Sequence, residues 1–331
     1  MIDPSLPLID LHRHLDGSVR LETILDVGRR KNVPLPAWTV EGLRSHVQVT
    51  TPQPGVMAFI SKFKWLTAIM VDYDTCRRIA YENVEDARNE GIDYIEFRFS
   101  PWFMAETHNL DPAGVCEAVV DGITCGSRDF KLPVKLIGIL SRTYGPEIAA
   151  KEFQALFSQR KYISALDLAG DEANFPGELF SGLFKRASQV GWHITVHAGE
   201  IVGPHSIWQA IKELGATRIG HGLHALEDPD LLDCLARNRI GIESCLTSNV
   251  QTSCVADYPS HPLRQFLEHG IPATINTDDP AISNIDLYHE YNVAAPLAGL
   301  SGEQIRQAQS NSFEVAFLSK KERAMLKKRK S

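Results

Sequence analysis

A (β/α)8 barrel is the fold the sequence predicts, on three observations. Short runs rich in Val, Ile and Phe alternate with longer stretches of helical periodicity from one end of the chain to the other. Eight such runs occur without a break, and the turn after the first lacks the Gly-rich phosphate loop that a doubly wound open sheet often carries. The His, Asp and Glu residues of chemical interest also fall at the C-terminal ends of these runs, which converge on one mouth when a parallel sheet closes.

In chain order the runs are Leu8–His12, Ile92–Phe99, Val134–Leu140, Ile163–Leu168, His193–His197, Arg218–His221, Ile240–Cys245 and Pro272–Thr277. Each is bounded by polar residues or by Gly/Pro punctuation, as strands are. Between them lie the amphipathic stretches Tyr73–Glu90, Pro112–Arg128, Glu147–Gln159, Leu179–Val190, Ser206–Leu214 and Pro229–Arg237. Strand–helix alternation of this kind demands a parallel sheet. One stretch departs from it: residues 32–54, with four prolines, read as an irregular insertion after the first strand–helix unit, suited to a lid or pocket wall.

The 331 residues are 44% hydrophobic and 23% charged, enough apolar content for a large core. Length alone would allow two domains. Barrels of this class routinely exceed 250 residues as one unit, however, and no linker interrupts residues 1–331, so one barrel domain is expected. A net charge of −7 and a pI near 6.0 offer no general attraction for polymeric nucleic acid or an anionic membrane. The basic tail Lys320–Lys330 reads as a solvated end. Six cysteines without a Cys-x-x-Cys pair, and no apolar stretch of about 18 residues or signal-like N-terminus, predict a cytoplasmic protein in a reducing compartment.

His12 and His14 sit two apart at the end of the first run, a spacing that sends both imidazoles to one face of a strand where they can share a metal. His197 ends the fifth run, which would otherwise be a buried strand intolerant of an unpaired polar group. Asp278 and Asp279 end the eighth. Adjacent carboxylates there repel unless a cation or proton lies between them, although Asp279-Pro280 also resembles a helix start. Three imidazoles and one carboxylate form an N/O set suited to zinc, while cobalt or iron accepts the same ligands. Glu200, three residues beyond His197 in a Gly-containing turn, is a candidate general acid. His221 lies between Gly220 and Gly222, which suit either close approach to a ligand or a tight turn.

Five motifs in order, Asp10-Leu11-His12-Arg13-His14-Leu15-Asp16-Gly17, Asp167-Leu168-Ala169-Gly170-Asp171-Glu172, Val196-His197-Ala198-Gly199-Glu200, Ile219-Gly220-His221-Gly222 and Asn276-Thr277-Asp278-Asp279-Pro280, resemble the adenosine deaminase family of metal-dependent hydrolases, in its bacterial form. The resemblance spans most of the chain. It implies a single Zn2+ on His12, His14, His197 and Asp278, with zinc-bound hydroxide adding to purine C6. It further implies that Glu200 protonates N1, that His221 orients or activates the water, and that His14, Asp16, Gly170 and Asp279 contact substrate.

The expected reaction converts adenosine and 2'-deoxyadenosine to inosine and 2'-deoxyinosine with release of ammonia, a step of purine salvage. The expected partners are a small purine nucleoside and water, with a monomer or weak homo-oligomer as the state. Zinc deaminases that act on bases in nucleic acid carry His-x-Glu with a later Pro-Cys-x-x-Cys, absent here. Adenine or AMP is the rival substrate, and Asp16 discriminates, because resembling adenine deaminases tend to carry Glu there. A metal-free binding scaffold is the rival of another class; the intact motifs oppose it.

Overall fold

The computed structural model describes residues 2–49 and 51–330. Eight parallel strands follow one another in the order β1 to β8: Ile9–His14, Tyr94–Phe99, Val134–Ser141, Ile163–Ala169, His193–Ala198, Arg218–His221, Gly241–Ser244 and Ala273–Ile275. The predicted barrel is therefore present, and the predicted strand set matches it run for run. β1 extends two residues beyond the expected His12 end, so His14 lies in the strand and not in the turn that follows. Its backbone finds partners on both sides there, which prolongs the ladder.

The seam between β8 and β1 is closed at its upper end by backbone bonds, His14 N–H to Asp278 O and Asp278 N–H to His12 O, both 2.8 Å. Asn276 Oδ1 accepts the Leu11 N–H at 2.9 Å lower in the same seam. Asp278 takes φ = 64°, a left-handed conformation that costs a non-glycine residue of order 1 kcal/mol or more.

Strand alternation sorts the barrel by polarity. On β2 the odd-numbered Ile95, Phe97 and Phe99 join the main apolar layer between strands and helices, as do Ile194 and Val196 of β5, Ile219 of β6 and Ile242 of β7. The opposite faces carry Glu96, Arg98, Asp167, Thr195, Arg218 and Glu243, all buried, so the barrel interior is built in part from ion pairs and not wholly from branched aliphatics.

The stretch 32–54 is more ordered than its prolines suggest. Helix Val40–Val47 lies within it, capped by the Thr39 hydroxyl on the Gly42 N–H; Thr50 lies outside the described residues. The C-terminal tail is also not simply solvated. A capping box between Ser319 and Glu322 starts the helix Lys320–Lys328, and the Lys135–Glu322 and Lys330–Asp93 ion pairs, both 2.7 Å, dock it under the barrel. No described helix is long and apolar enough to cross a membrane.

Candidate active site

At the C-terminal mouth, strands β1, β5 and β8 bring His12, His14, His197 and Asp278 together. His12 Nε2 and His14 Nε2 lie 3.2 and 3.3 Å from Asp278 Oδ1, and His14 Nε2 lies 3.3 Å from His197 Nε2. One ligand atom from each of the four falls within 4.8 Å of every other. The outer nitrogens are held: His12 Nδ1 meets Glu243 Oε2 at 2.7 Å and His197 Nδ1 meets Asp167 Oδ1 at 3.1 Å. The carboxylates there accept from the Nδ1–H groups of His12 and His197, which leaves the Nε2 lone pairs of those two rings facing inward.

The His14 and His197 Nε2 atoms meet at 3.3 Å beside a His12 Nε2 that is buried and has no hydrogen-bond partner, an arrangement that a cation would satisfy. The donor set therefore fits a borderline divalent metal. A second grouping, His221, Cys245 and Asp278, shares Asp278 with the first. Burial pushes the Cys245 thiol well up and keeps its proton on, which makes it the poorer ligand set.

Arg98 ties the two outer carboxylates together, donating from Nη1 to Asp167 and from Nη2 to Glu243 at 2.7 Å each. Arg218 and Thr195 satisfy the other Glu243 oxygen at 2.6 and 2.9 Å. Ser248 donates to Asp278 Oδ2 at 2.7 Å, leaving Oδ1 for the cluster. None of Arg98, Thr195, Arg218, Glu243 or Ser248 was singled out from sequence. The one available signal is the charge–aromatic alternation Glu96-Phe97-Arg98-Phe99, unusual for a strand buried on both faces.

Glu200 sits at the pocket edge because the Glu172 carboxylate gathers its loop. That carboxylate accepts the N–H groups of Gly199, Glu200, Ile201 and Val202 at 2.6 to 3.3 Å, as well as the Ser206 hydroxyl. Glu172 thus acts under the mouth and not in it, and Asp171 turns away to cap Asn174. Burial, opposed by His221, raises the Glu200 carboxyl to about 6. His221 Nε2 is 3.8 Å from Glu200 Oε1, and His221 itself adopts φ = 65° ahead of Gly222 at 61°, so the turn and the inward imidazole occur together.

Asp279 does not cap the helix Pro280–Ser283 with its side chain. Its carboxyl faces the pocket instead, where burial and then the Asp278 charge hold it well above the ordinary range. Asp279 Oδ1 and Asp16 Oδ1 are buried and have no hydrogen-bond partner in the protein. Burial raises Asp16 as well, with His14 opposing. Gly170, at φ = 110°, has no room for a Cβ, which would lie 2.4 Å from Thr143 Oγ1.

His14, Asp16, Gly170, His197, Glu200, His221, Asp278 and Asp279 all line one cavity of about 210 Å³. Only His12 of the predicted set lies behind that wall, with no exposed surface. The apolar side of the cavity comes from Val56, Met57, Phe59, Ile60 and Phe63, just beyond the stretch 32–54, none of whose described residues line it. That stretch borders a separate cleft of about 790 Å³, between Arg13, Arg44 and Tyr288, whose lining includes none of His12, His14, His197 and Asp278. The expected pocket wall is thus displaced along the chain: the prolines mark the approach and the apolar run that follows does the covering.

The adenosine deaminase family model matches residues 7–329. An adenosine deaminase of Klebsiella pneumoniae subsp. pneumoniae is 59% identical over 326 residues, covering 98% of each chain. Among solved structures, an adenine deaminase from Arthrobacter aurescens superposes with a TM-score of 0.90 at 23% identity over 98% of each chain. A Zn-bound amidohydrolase from Burkholderia ambifaria gives 0.87 at 24%, covering 97% of this chain and 88% of its own. At such identities these two structures speak for the barrel alone. The family match and the full-length identity carry the assignment: the chain belongs to the adenosine deaminase family.

Proposed function

We propose that the chain hydrolyses adenosine and 2'-deoxyadenosine to inosine and 2'-deoxyinosine with release of ammonia, using one zinc ion held by His12, His14, His197 and Asp278. The observation that carries the reading is the convergence of those four ligand atoms, His12 Nε2 among them without a partner, on the wall of a cavity lined by Glu200, His221, Asp16 and Asp279. When bound, zinc supplies Lewis acidity, lowering the pKa of water to about 7 so that a nucleophile is available at neutral pH.

The side chains do the rest. Addition of water at C6 moves electron density onto N1, and Glu200, with a carboxyl raised to about 6, delivers a proton there. Purine N7 is an acceptor, so Asp279 must carry a proton to bond it, and its upward shift meets that requirement. Asp16 Oδ1 is free to accept from a ribose hydroxyl. Gly170 lets the purine approach the backbone, His14 contributes a ring face to the same wall, and His221 meets the attacking oxygen. Val56, Met57, Phe59, Ile60 and Phe63 exclude water over the apolar side.

The same reading makes the chain one metal-dependent hydrolase domain serving purine salvage in the cytoplasm, as a monomer or weak homo-oligomer. The test is a side-by-side ultraviolet assay on adenosine, deoxyadenosine, adenine and AMP, together with metal analysis of the purified protein. Turnover of the two nucleosides with about one zinc per chain is expected. Reaction with adenine or AMP alone would overturn the substrate assignment.

A further inference from the structure

His221 does not reach the pocket unaided. Its Nδ1 lies 3.0 Å from Asn249 Nδ2, Asn249 Oδ1 lies 3.2 Å from His261 Nε2, and His261 Nδ1 accepts the backbone N–H of Leu263 at 3.1 Å. All three side chains are buried, with 0 to 1% of their surface exposed.

The direction of every bond in this chain follows from its far end. A backbone amide only donates, so His261 Nδ1 has no proton. Burial pushes His261 down to about 3, so the ring is neutral and its one proton is on Nε2. That N–H needs an acceptor, which orients the Asn249 amide with Oδ1 toward His261 and the NH2 toward His221. An amide NH2 only donates, so His221 Nδ1 accepts and the ring proton of neutral His221 is on Nε2. Turning the amide over would set NH2 against N–H at one end, and a buried unsatisfied donor costs about 1–3 kcal/mol.

We propose that Asn249 and His261 are positioning residues that fix the tautomer of His221, so that His221 presents an Nε2–H to the pocket and serves there as a hydrogen-bond donor, not as a base. The left-handed backbone at His221 aims that N–H toward the side where Glu200 Oε1 stands 3.8 Å away. The His12 and His197 rings, with centroids 4.9 and 5.0 Å off, close the other sides, along with Asp278 and Cys245. An imidazole whose Nε2 already bears the proton cannot remove one from water at that atom. It orients the oxygen by donating to it, and a further proton on Nδ1 would face the Asn249 NH2, donor to donor. The assignment rests on the deaminase reading only for the identity of the oxygen that His221 meets.

Two measurements test it separately. Zinc-loaded protein labelled with 15N-histidine, with the His221 signals identified by their loss in His221→Gln, reports the tautomer from two-bond proton–nitrogen correlations. An unprotonated Nδ1 with a protonated Nε2 is expected, and the opposite pattern overturns the proposal. Asn249→Asp keeps the shape and turns the donor into an acceptor, which moves the His221 proton to Nδ1. In Ser-His-Asp enzymes an isosteric exchange that leaves the wrong tautomer costs about 10⁴ in kcat, so a fall of at least about 100-fold is expected here, with zinc content and KM little changed. A kcat within about threefold of the parent overturns the proposal. Should the variant not fold, the spectrum of the unaltered protein still decides. Absence of adenosine turnover by that protein counts against the proposed function and leaves the tautomer to the spectrum.

Discussion

Gly17 and Asp279 meet so closely that a Cβ on Gly17 would lie 1.7 Å from Asp279 Oδ1. No rotamer of a larger residue at position 17 coexists with the Asp279 carboxyl where it stands, so the loop after β1 and the loop after β8 fit together only through this hydrogen.

Gly17→Ala therefore displaces the Asp279 carboxyl from the place where it is proposed to meet the purine, while touching none of the proposed metal ligands. A displacement of about 1 Å costs on the order of 10²-fold in rate. We expect kcat/KM for adenosine to fall by about that factor with zinc content unchanged. Parent-like kinetics would show that the Asp279 position is not needed for catalysis.

Glu200→Gln removes the proposed N1 proton donor and retains the shape, and the Glu172 bonds that hold the loop go to backbone N–H groups that the substitution leaves in place. General acid catalysis contributes about 10² to 10⁴ in rate. Turnover falls by that order while one zinc per chain is retained. A near-parental rate would remove Glu200 from the chemistry.

The strand order and the gathering of His12, His14, His197 and Asp278 at one mouth were legible because each depends on local pattern: an apolar run ending in His, Asp or Glu places that residue at the mouth once the topology is parallel. What surrounds the ligands was not. Glu243 and Arg98 sit on inward faces of strands whose outward faces are apolar, and nothing local tells whether an inward charge meets another across the barrel. Asn249 and His261 follow β7 in segments whose relation to His221, on β6, exists only after folding. Asp279-Pro280 also resembled a helix start, but the Asp279 side chain makes no cap bond and lines the pocket.

Arg98→Met separates the two carboxylates that orient His12 and His197. Removing one partner from a buried ion-pair cluster costs about 3–5 kcal/mol, and loss of an outer partner of a metal histidine typically costs 10- to 100-fold in metal affinity. Both changes are expected together, the first by urea denaturation and the second by competition with a zinc chelator. A destabilised protein with parental zinc affinity would confine Arg98 to a structural role.

Glu290 offers a test of stability away from the mouth. Its carboxylate accepts the N–H groups of Leu246 and Thr247 at 3.1 and 3.2 Å, yet burial outweighs those bonds and raises it to about 8. The folded state then binds this proton more tightly than the unfolded chain, whose Glu titrates near 4.5. Between those two values the folded protein holds more protons, so stability from this group is complete below about pH 4.5 and is lost as pH rises through 8. Glu290→Gln fixes a neutral form and keeps an acceptor oxygen for one of the two amides, at the cost of setting its NH2 against the other. Denaturant midpoints should fall from pH 5 to pH 8.5 in the parent, on the order of 4 kcal/mol from this group alone, and fall less in the variant. Parallel pH curves for the two proteins would mean that Glu290 is already ionised in the fold.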